Sequence, residues 1–164
     1  MEKITNKITL SAEELLELPN TKELLNNYGD SYSIEQKIKL DLAKTENYKP
    51  AVFYHATGGL GEIGLGKGLY LGKDKKALEN FYNCDGTCGK IEEYHGNPKF
   101  IDLTIYEEFN EFEKLAIAKY GNSTKNEHLK LLTLDMGFDG IRYYDPLATG
   151  EEFVLYNTKK VIKI

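Results

Sequence analysis

Three short apolar segments of the chain each carry one residue whose side chain suits chemistry: His55, Tyr70 and Glu152. An imidazole can bind a polar ligand or move a proton near neutral pH. A tyrosine ring offers a flat surface for stacking on another ring, and a carboxylate can stabilise positive charge that develops as a bond breaks. The set therefore suits a reaction that needs binding and electrostatic stabilisation rather than a strong acid.

Each of these residues also has an ordinary structural interpretation. A lone histidine in a strand is most often a hydrogen-bonded structural residue. Tyr70 is one of twelve tyrosines and could be a core aromatic, and Glu152 could face solvent beside Glu151. The alternation of polar and apolar residues does not decide which of the two glutamates faces inward. The functional interpretation therefore depends on the motifs around the three residues.

A glycine-rich stretch from Gly58 to Gly68 imitates two nucleotide-binding motifs. It contains the GxGxxG spacing of the Rossmann fingerprint, but that motif needs a helix to begin inside it, and a strand-like Leu69–Leu71 follows instead. It also approximates a phosphate-binding P-loop, but Gly68 stands where a Ser or Thr would ligate magnesium. Neither motif is supported, and alone the stretch would be a surface loop.

Composition narrows the class of protein. The 164 residues are 41% apolar, which suits one folded domain, and the net charge of −5 weighs against nucleic acid as a partner. The apolar runs are too short to cross a membrane, and the first ten residues do not resemble a signal peptide. Two cysteines are too few for a disulfide scaffold, so we expect a cytoplasmic protein without membrane association.

The elements that position the three residues are predicted from periodicity and capping signals. Residues 1–50 are predicted to form a helical extension, because capping boxes at Ser11/Glu14 and Ser33/Gln36 precede apolar residues. Residues 51–164 are predicted to form the main domain. Its strands are predicted at 51–55, 69–71, 100–105, 141–144, 152–156 and 161–164, and its helices at 75–82, around 109–116 and at 128–134.

The predicted fold class is α+β, with short and mostly antiparallel strands. Asp74 is expected to cap the first helix of the main domain. The polar connection Asn157–Lys160 has the length that joins hairpin strands, so the last two strands are predicted to pair. The acidic helix around Glu107 is expected to present a solvated face.

Three motifs in a fixed order resemble the motif strands of ADP-ribosyltransferases, in the His-Tyr-Glu branch that includes the poly(ADP-ribose) polymerases. The closing segment from Leu134 to Ile141 is similar to that of compact domains from phages and mobile elements. The resemblance covers residues 51–164 and implies split antiparallel β-sheets behind the N-terminal helical extension. The motifs are Phe53-Tyr54-His55-Ala56-Thr57, Gly66-Lys67-Gly68-Leu69-Tyr70-Leu71 and Gly150-Glu151-Glu152-Phe153-Val154-Leu155-Tyr156.

The resemblance implies that NAD is a substrate and assigns roles around it. His55 would bind the adenosine ribose, and the backbone of Ala56 would hold the nicotinamide carboxamide. Tyr70 would stack on the nicotinamide ring. Glu152 would bind the 2′-hydroxyl of the nicotinamide ribose and stabilise the charge that develops as the glycosidic bond breaks. The remaining cofactor-binding residues would be Thr57, Gly68 and either Phe81 or Tyr82, which would close the far side of the ring.

The implied function is NAD-dependent mono-ADP-ribosylation of a protein or another macromolecule by a bacterial or phage toxin or effector. Arginine-modifying relatives carry Glu or Gln two positions before the catalytic glutamate, and Gly150 stands there, so arginine is not the expected acceptor. The alternatives are an NAD glycohydrolase, an RNA 2′-phosphotransferase and a non-catalytic NAD-binding module. The net acidity weighs against the RNA reaction.

A zinc site is the other candidate centre in the sequence. Cys84, Cys88, His95 and His128 could supply four ligands. Structural zinc sites usually place close pairs of ligands at both ends, and His95-Gly96-Asn97-Pro98 resembles a polar turn. We therefore predict free thiols in an exposed loop and no bound metal.

Overall fold

The computed structural model describes residues 34–46, 48–57, 65–82, 90–146 and 150–164. The chain divides into two compact units, residues 1–48 and 49–164. In the first unit the helix α1 spans Ile34–Thr45, which confirms the helix expected after the second capping box. Ser33 and the helix expected after Ser11 lie outside the described residues. That residues 1–50 act as an extension of a catalytic domain stays a prediction.

The second unit has the predicted α+β architecture. None of its described helices, nor α1, is long and apolar enough to cross a membrane. Its strands are β1 (Ala51–Ala56), β2 (Leu69–Leu71), β3 (Ile91–Gly96), β4 (Phe100–Asp102), β5 (Gly140–Asp145), β6 (Gly150–Leu155) and β7 (Val161–Lys163). Its helices are α2 (Lys75–Tyr82), α3 (Tyr106–Tyr120) and α4 (Glu127–Asp135), and a 3-10 turn spans Thr158–Lys160.

The strands form two sheets, in the orders β1-β3-β7 and β2-β6-β5-β4. Their pairs are antiparallel, as predicted, except that β4 and β5 run parallel. The sheets meet at an isolated bridge between Tyr54 and Gly72, where two backbone hydrogen bonds of 2.8 and 2.9 Å join β1 to the residue after β2. The chain thus has the split sheets expected from the sequence.

An apolar cluster joins the two sheets. Phe53 of β1 makes edge-to-face contacts with Phe100 and Phe153 of the other sheet, with ring centroids 5.7 and 5.5 Å apart. Such aromatic pairs add about 0.5–1.5 kcal/mol each to the stabilisation from burial. The rest of the cluster is Leu71, Leu155 and Val161. Alternation along β6 therefore turns Phe153 and Leu155 toward this core and Glu152 and Val154 to the opposite face.

The predicted pairing of the last two strands is wrong. The connection after β6 has hairpin length, but it forms the 3-10 turn and delivers β7 to the edge of the other sheet, beside β3. The backbone N–H groups of Tyr156 and Asn157 donate to the carbonyl of Asp139, at 2.8 and 3.0 Å, and direct the chain away from β6. The length of such a connection predicts a turn, but it does not determine the sheet in which the next strand pairs.

The strand β3 was not predicted, and the interpretation of His95 and Gly96 as part of a polar turn is wrong. Ile91 and Tyr94 are three residues apart and so cannot lie on one face of a strand, which removes the usual alternation. The strand forms because β1 and β7 flank it on both sides. Tertiary pairing overrides the local pattern here.

Two aspartates set where α2 begins and where β4 ends. Asp74 caps α2 as predicted, with its Oδ1 accepting the N–H of Ala77 at 3.0 Å. The strand predicted over 100–105 ends at Asp102, because the Asp102 carboxylate accepts the N–H and the hydroxyl of Thr104, at 3.0 and 2.6 Å, and turns the chain into α3.

Candidate functional site

His55 lies one residue past the bridge that joins the sheets. Its Nδ1 is 2.8 Å from the carbonyl oxygen of Tyr70. A carbonyl oxygen only accepts, so Nδ1 is the donor and Nε2 is the accepting nitrogen of the neutral ring. The structure thus brings the His55 side chain onto the backbone of Tyr70. A ring held this way can accept a hydrogen bond from a hydroxyl through Nε2.

A group of polar residues that the sequence did not point to surrounds His55. Glu92 lies directly opposite it in β3, and the rings of His55 and Tyr94 are 6.5 Å apart. Lys163 forms an ion pair with Glu92, whose side chain is 11% exposed. This bond holds the pKa of Glu92 below its ordinary value. Glu92 was missed because β3 was missed.

Tyr70 uses its hydroxyl to hold the glycine-rich segment that precedes β2. The hydroxyl accepts the N–H of Leu65 at 3.1 Å and donates to the carbonyl of Gly66 at 2.7 Å. Tyr156 donates its hydroxyl to the carbonyl of Leu65. Burial raises the pKa of Tyr156, with a further contribution from Tyr70, so this phenol remains a donor. Two tyrosines therefore fix residues 65 and 66.

The glycines of this motif are required by packing. Gly66 has a φ of +96°, and a Cβ there would lie 3.1 Å from the carbonyl oxygen of Asn126. A Cβ on Gly68 would lie 2.8 Å from Val154 Cγ2 and 2.9 Å from the carbonyl oxygen of Leu155. The Gly-Lys-Gly-Leu-Tyr element thus has a structural basis: close approach of the segment to β6 and to the turn before α4.

Glu152 is buried, with 9% of its surface exposed, on the face of β6 away from the aromatic core. Its Oε2 accepts a hydrogen bond of 2.8 Å from the hydroxyl of Tyr143, the residue opposite it in β5. Glu151 is exposed on the other face, where Arg142 binds it at 2.8 Å and Asp102 at 3.3 Å. The structure therefore shows which of the two glutamates is buried, a question that the alternation of residues left open.

Tyr70 and Glu152 lie on the same face of one sheet. Tyr70 is opposite Val154 in the β2–β6 pair, and Glu152 is two residues before Val154. Such diagonal neighbours are about 7–8 Å apart at their Cα atoms, within reach of long side chains. This pairing brings together two residues that are 82 positions apart in the sequence. Tyr143 joins the same face from the next strand.

The other residues predicted to contact NAD lie at the end of β1 and at the end of α2. Ala56 ends β1, and Thr57 is tied to Lys90 through its N–H at 2.9 Å and through its hydroxyl. Phe81 is 39% exposed on α2, and Tyr82 ends that helix. The choice between Phe81 and Tyr82 as a second stacking ring stays open.

The zinc hypothesis finds no support in the described part of the chain, which holds no group of three or more His, Cys, Asp or Glu side chains able to bind a metal. His95 pairs with Glu93 at 2.7 Å. His128 is buried in α4, where its Nδ1 accepts the N–H of Ser123 at 3.2 Å. Cys84 and Cys88 lie outside the described residues.

Comparison with known proteins gives one distant structural similarity. No protein-family model matches the sequence, and no curated protein matches it. A solved chain from the M. tuberculosis MbcT–MbcA toxin–antitoxin complex is similar, with a TM-score of 0.44 and 10% sequence identity. The similarity covers 80% of this chain and 94% of that chain. At this identity it assigns no role to any residue.

The arrangement can do two things chemically. The face that carries Tyr70 and Glu152 presents an aromatic ring and a carboxylate from neighbouring strands, which suits a flat cationic group attached to a sugar. His55 offers an accepting nitrogen next to the backbone of the same tyrosine. A substrate whose leaving group is already cationic needs no strong acid to release it.

Proposed function

We propose that the chain is an NAD-dependent mono-ADP-ribosyltransferase that modifies a protein or another macromolecule, of the bacterial or phage effector type. The observation that carries the proposal is the buried carboxylate of Glu152, on one sheet face with Tyr70, whose backbone carbonyl binds His55. These are the three residues whose motifs resemble those of the His-Tyr-Glu transferases. NAD is the substrate, and no metal takes part in the proposed reaction.

In the proposed reaction the bond between the ribose C1′ and the nicotinamide nitrogen breaks. The bonding electron pair goes to the ring nitrogen, which becomes neutral, and positive charge develops on the ribose. The Glu152 carboxylate stabilises this charge, and Tyr70 holds the ring by stacking. His55 accepts a hydrogen bond from the adenosine ribose. A nucleophilic atom of the acceptor then bonds to C1′ and releases its proton.

Replacement of Glu152 by glutamine tests the proposal, because the amide keeps the shape and removes the charge. Purified protein is incubated with a cell lysate and with NAD labelled in its adenosine phosphate, and both nicotinamide release and labelled macromolecules are measured. We expect wild type to show both and E152Q to lose at least about 100-fold in rate, the usual cost of removing one stabilising group.

Glu151→Gln is the matched control, since the neighbouring carboxylate is exposed and pairs with Arg142. It should keep the wild-type rate. Equal rates for E152Q and wild type, or no nicotinamide release by wild type, would contradict the proposal. Release of nicotinamide with free ADP-ribose and no labelled macromolecule would instead identify an NAD glycohydrolase.

A further inference from the structure

The hydroxyl of Tyr143 touches the Glu152 carboxylate from the neighbouring strand. Tyr143 and Glu152 are directly opposite each other in the β5–β6 pair, and the hydroxyl donates to Oε2 at 2.8 Å. Tyr143 is half-buried and Glu152 is buried. Because the bond joins two strands of one sheet, its geometry is set by the register rather than by a mobile surface contact.

A bond of this kind changes what the carboxylate can do. A glutamate side chain has several rotatable bonds, and ordering it in a reactive position costs conformational entropy. Tyr143 fixes one carboxylate oxygen, Oε2, through its hydroxyl. Hydrogen bonds to ionised acceptors are shorter and stronger than neutral ones. The carboxylate is therefore oriented before a substrate arrives, which is the condition for electrostatic stabilisation of a transition state.

On the opposite face of the same strand pair, Glu151 has a partner of its own. Arg142 binds Glu151 and Asp102 on the face away from Tyr143. Adjacent residues in a strand point to opposite faces, so the guanidinium and the phenol each serve one glutamate. Tyr143 lies opposite Glu152 on one face, and Tyr144 lies opposite Glu151 on the other. The second pair is therefore a matched control for the first.

We propose that Tyr143 is a positioning residue that orients the Glu152 carboxylate for cleavage of the nicotinamide–ribose bond; this inference rests on the proposed function. Tyr143 itself would not contact the reacting atoms. Its effect passes entirely through the carboxylate. It should therefore act on the rate of bond cleavage and not on the binding of NAD.

The test is Tyr143→Phe, which removes only the hydroxyl, with Tyr144→Phe as its control. Tyr144 is 60% exposed and lies opposite Glu151. For nicotinamide release we expect Y143F to lower kcat by about tenfold with little change in KM for NAD, which corresponds to the loss of one charged hydrogen bond. Y144F should match wild type. Y143F should unfold at a lower temperature than wild type, because a buried carboxylate loses a donor, so all rates are measured well below the lowest unfolding midpoint.

A second pair of variants separates positioning from any independent role. Y143F is introduced into E152Q, and the rates of the single and double variants are compared. If the tyrosine acts through the carboxylate, it has nothing left to orient, so E152Q and the double variant should react at the same rate.

Wild-type kcat in Y143F overturns the inference alone, and so does the same tenfold loss when Y143F is added to E152Q. Absence of nicotinamide release by wild type overturns the proposed function and this inference with it. A loss in Y143F that appears in KM, while the loss in E152Q appears in kcat, assigns the hydroxyl to substrate binding and also overturns the positioning role.

Discussion

At the scale of single residues, three ion pairs join different strands near the candidate site. Lys163 of β7 binds Glu92 of β3, and Arg142 of β5 binds both Glu151 of β6 and Asp102 of β4. Each pair lies next to a residue of the candidate site. Glu92 is opposite His55, and Glu151 adjoins Glu152. The pairs therefore join strands that carry residues of the candidate site.

The Glu92–Lys163 pair predicts a pH-dependent contribution to stability. Lys163 lowers the pKa of Glu92 from its ordinary 4.5, and Glu92 raises the pKa of Lys163 from its ordinary 10.5. A lowered carboxylate pKa stabilises the fold above its unfolded value and loses this effect as pH falls through the folded value. A raised lysine pKa acts below its unfolded value and is lost at higher pH. The pair thus contributes between these two limits.

Thermal unfolding of wild type and Glu92→Gln at about pH 7 and about pH 3 checks this prediction. The variant should melt at a lower temperature near neutral pH, and the difference should shrink at acidic pH as the wild-type carboxylate becomes protonated. Glu79→Gln, at an exposed position in the second half of α2, should match wild type at both values. A difference for E92Q that is unchanged or larger at acidic pH would exclude this pair as its source.

Residue types and motif order pointed to His55, Tyr70 and Glu152, but not to the groups that hold them. Tyr143 is nine residues from Glu152, and only the β5–β6 register makes them opposite. Glu92 is in a strand that the sequence pattern did not reveal. Contacts of this kind depend on pairing between strands, and a single sequence carries no direct signal for pairing.

At the scale of elements, the segment before β2 is built on glycines at fixed places. Gly68 approaches β6 so closely that any side chain would overlap Val154 and the backbone of Leu155. The strand that carries Tyr70 begins at the next residue. Packing of the Gly-Lys-Gly-Leu-Tyr element thus sets the position of the Tyr70 ring relative to the strand that carries Glu152.

Gly68→Ala should therefore destabilise the fold by about 1–3 kcal/mol, the usual cost of forcing extra volume into a packed site. Urea unfolding measures this change directly. Lys67→Ala is the control, because Lys67 is exposed and should change stability by less than about 0.5 kcal/mol. A G68A protein as stable as wild type would mean that β2 and β6 are less closely packed than described.

Most elements were predictable because their signals are local. Short runs of apolar and aromatic residues predicted β1, β2, β5 and β6, and the Asp74 cap predicted the start of α2. The parallel β4–β5 pair and the transfer of β7 to the other sheet were not predictable in the same way. Both depend on which strand edge is available after the rest of the sheet has formed, and residue patterns within one strand do not specify that.

At the scale of the whole molecule, the chain divides after Tyr48 into two compact units, close to the change of pattern at Pro50 in the sequence. The three candidate site residues and the groups that hold them all belong to residues 49–164. The proposed catalytic function therefore predicts that this unit is sufficient for nicotinamide release.

Limited proteolysis with chymotrypsin tests the division, because Tyr48 is 42% exposed and provides a cleavage site at the boundary. Trypsin is unsuitable, since Pro50 follows Lys49. We expect a resistant fragment that begins at residue 49, and Tyr48→Ser should prevent that cut. The purified fragment should release nicotinamide from NAD at a rate close to that of the whole chain. A stable but inactive fragment would instead show that residues 1–48 contribute to the reaction, because every group assigned to the site would still be present in it.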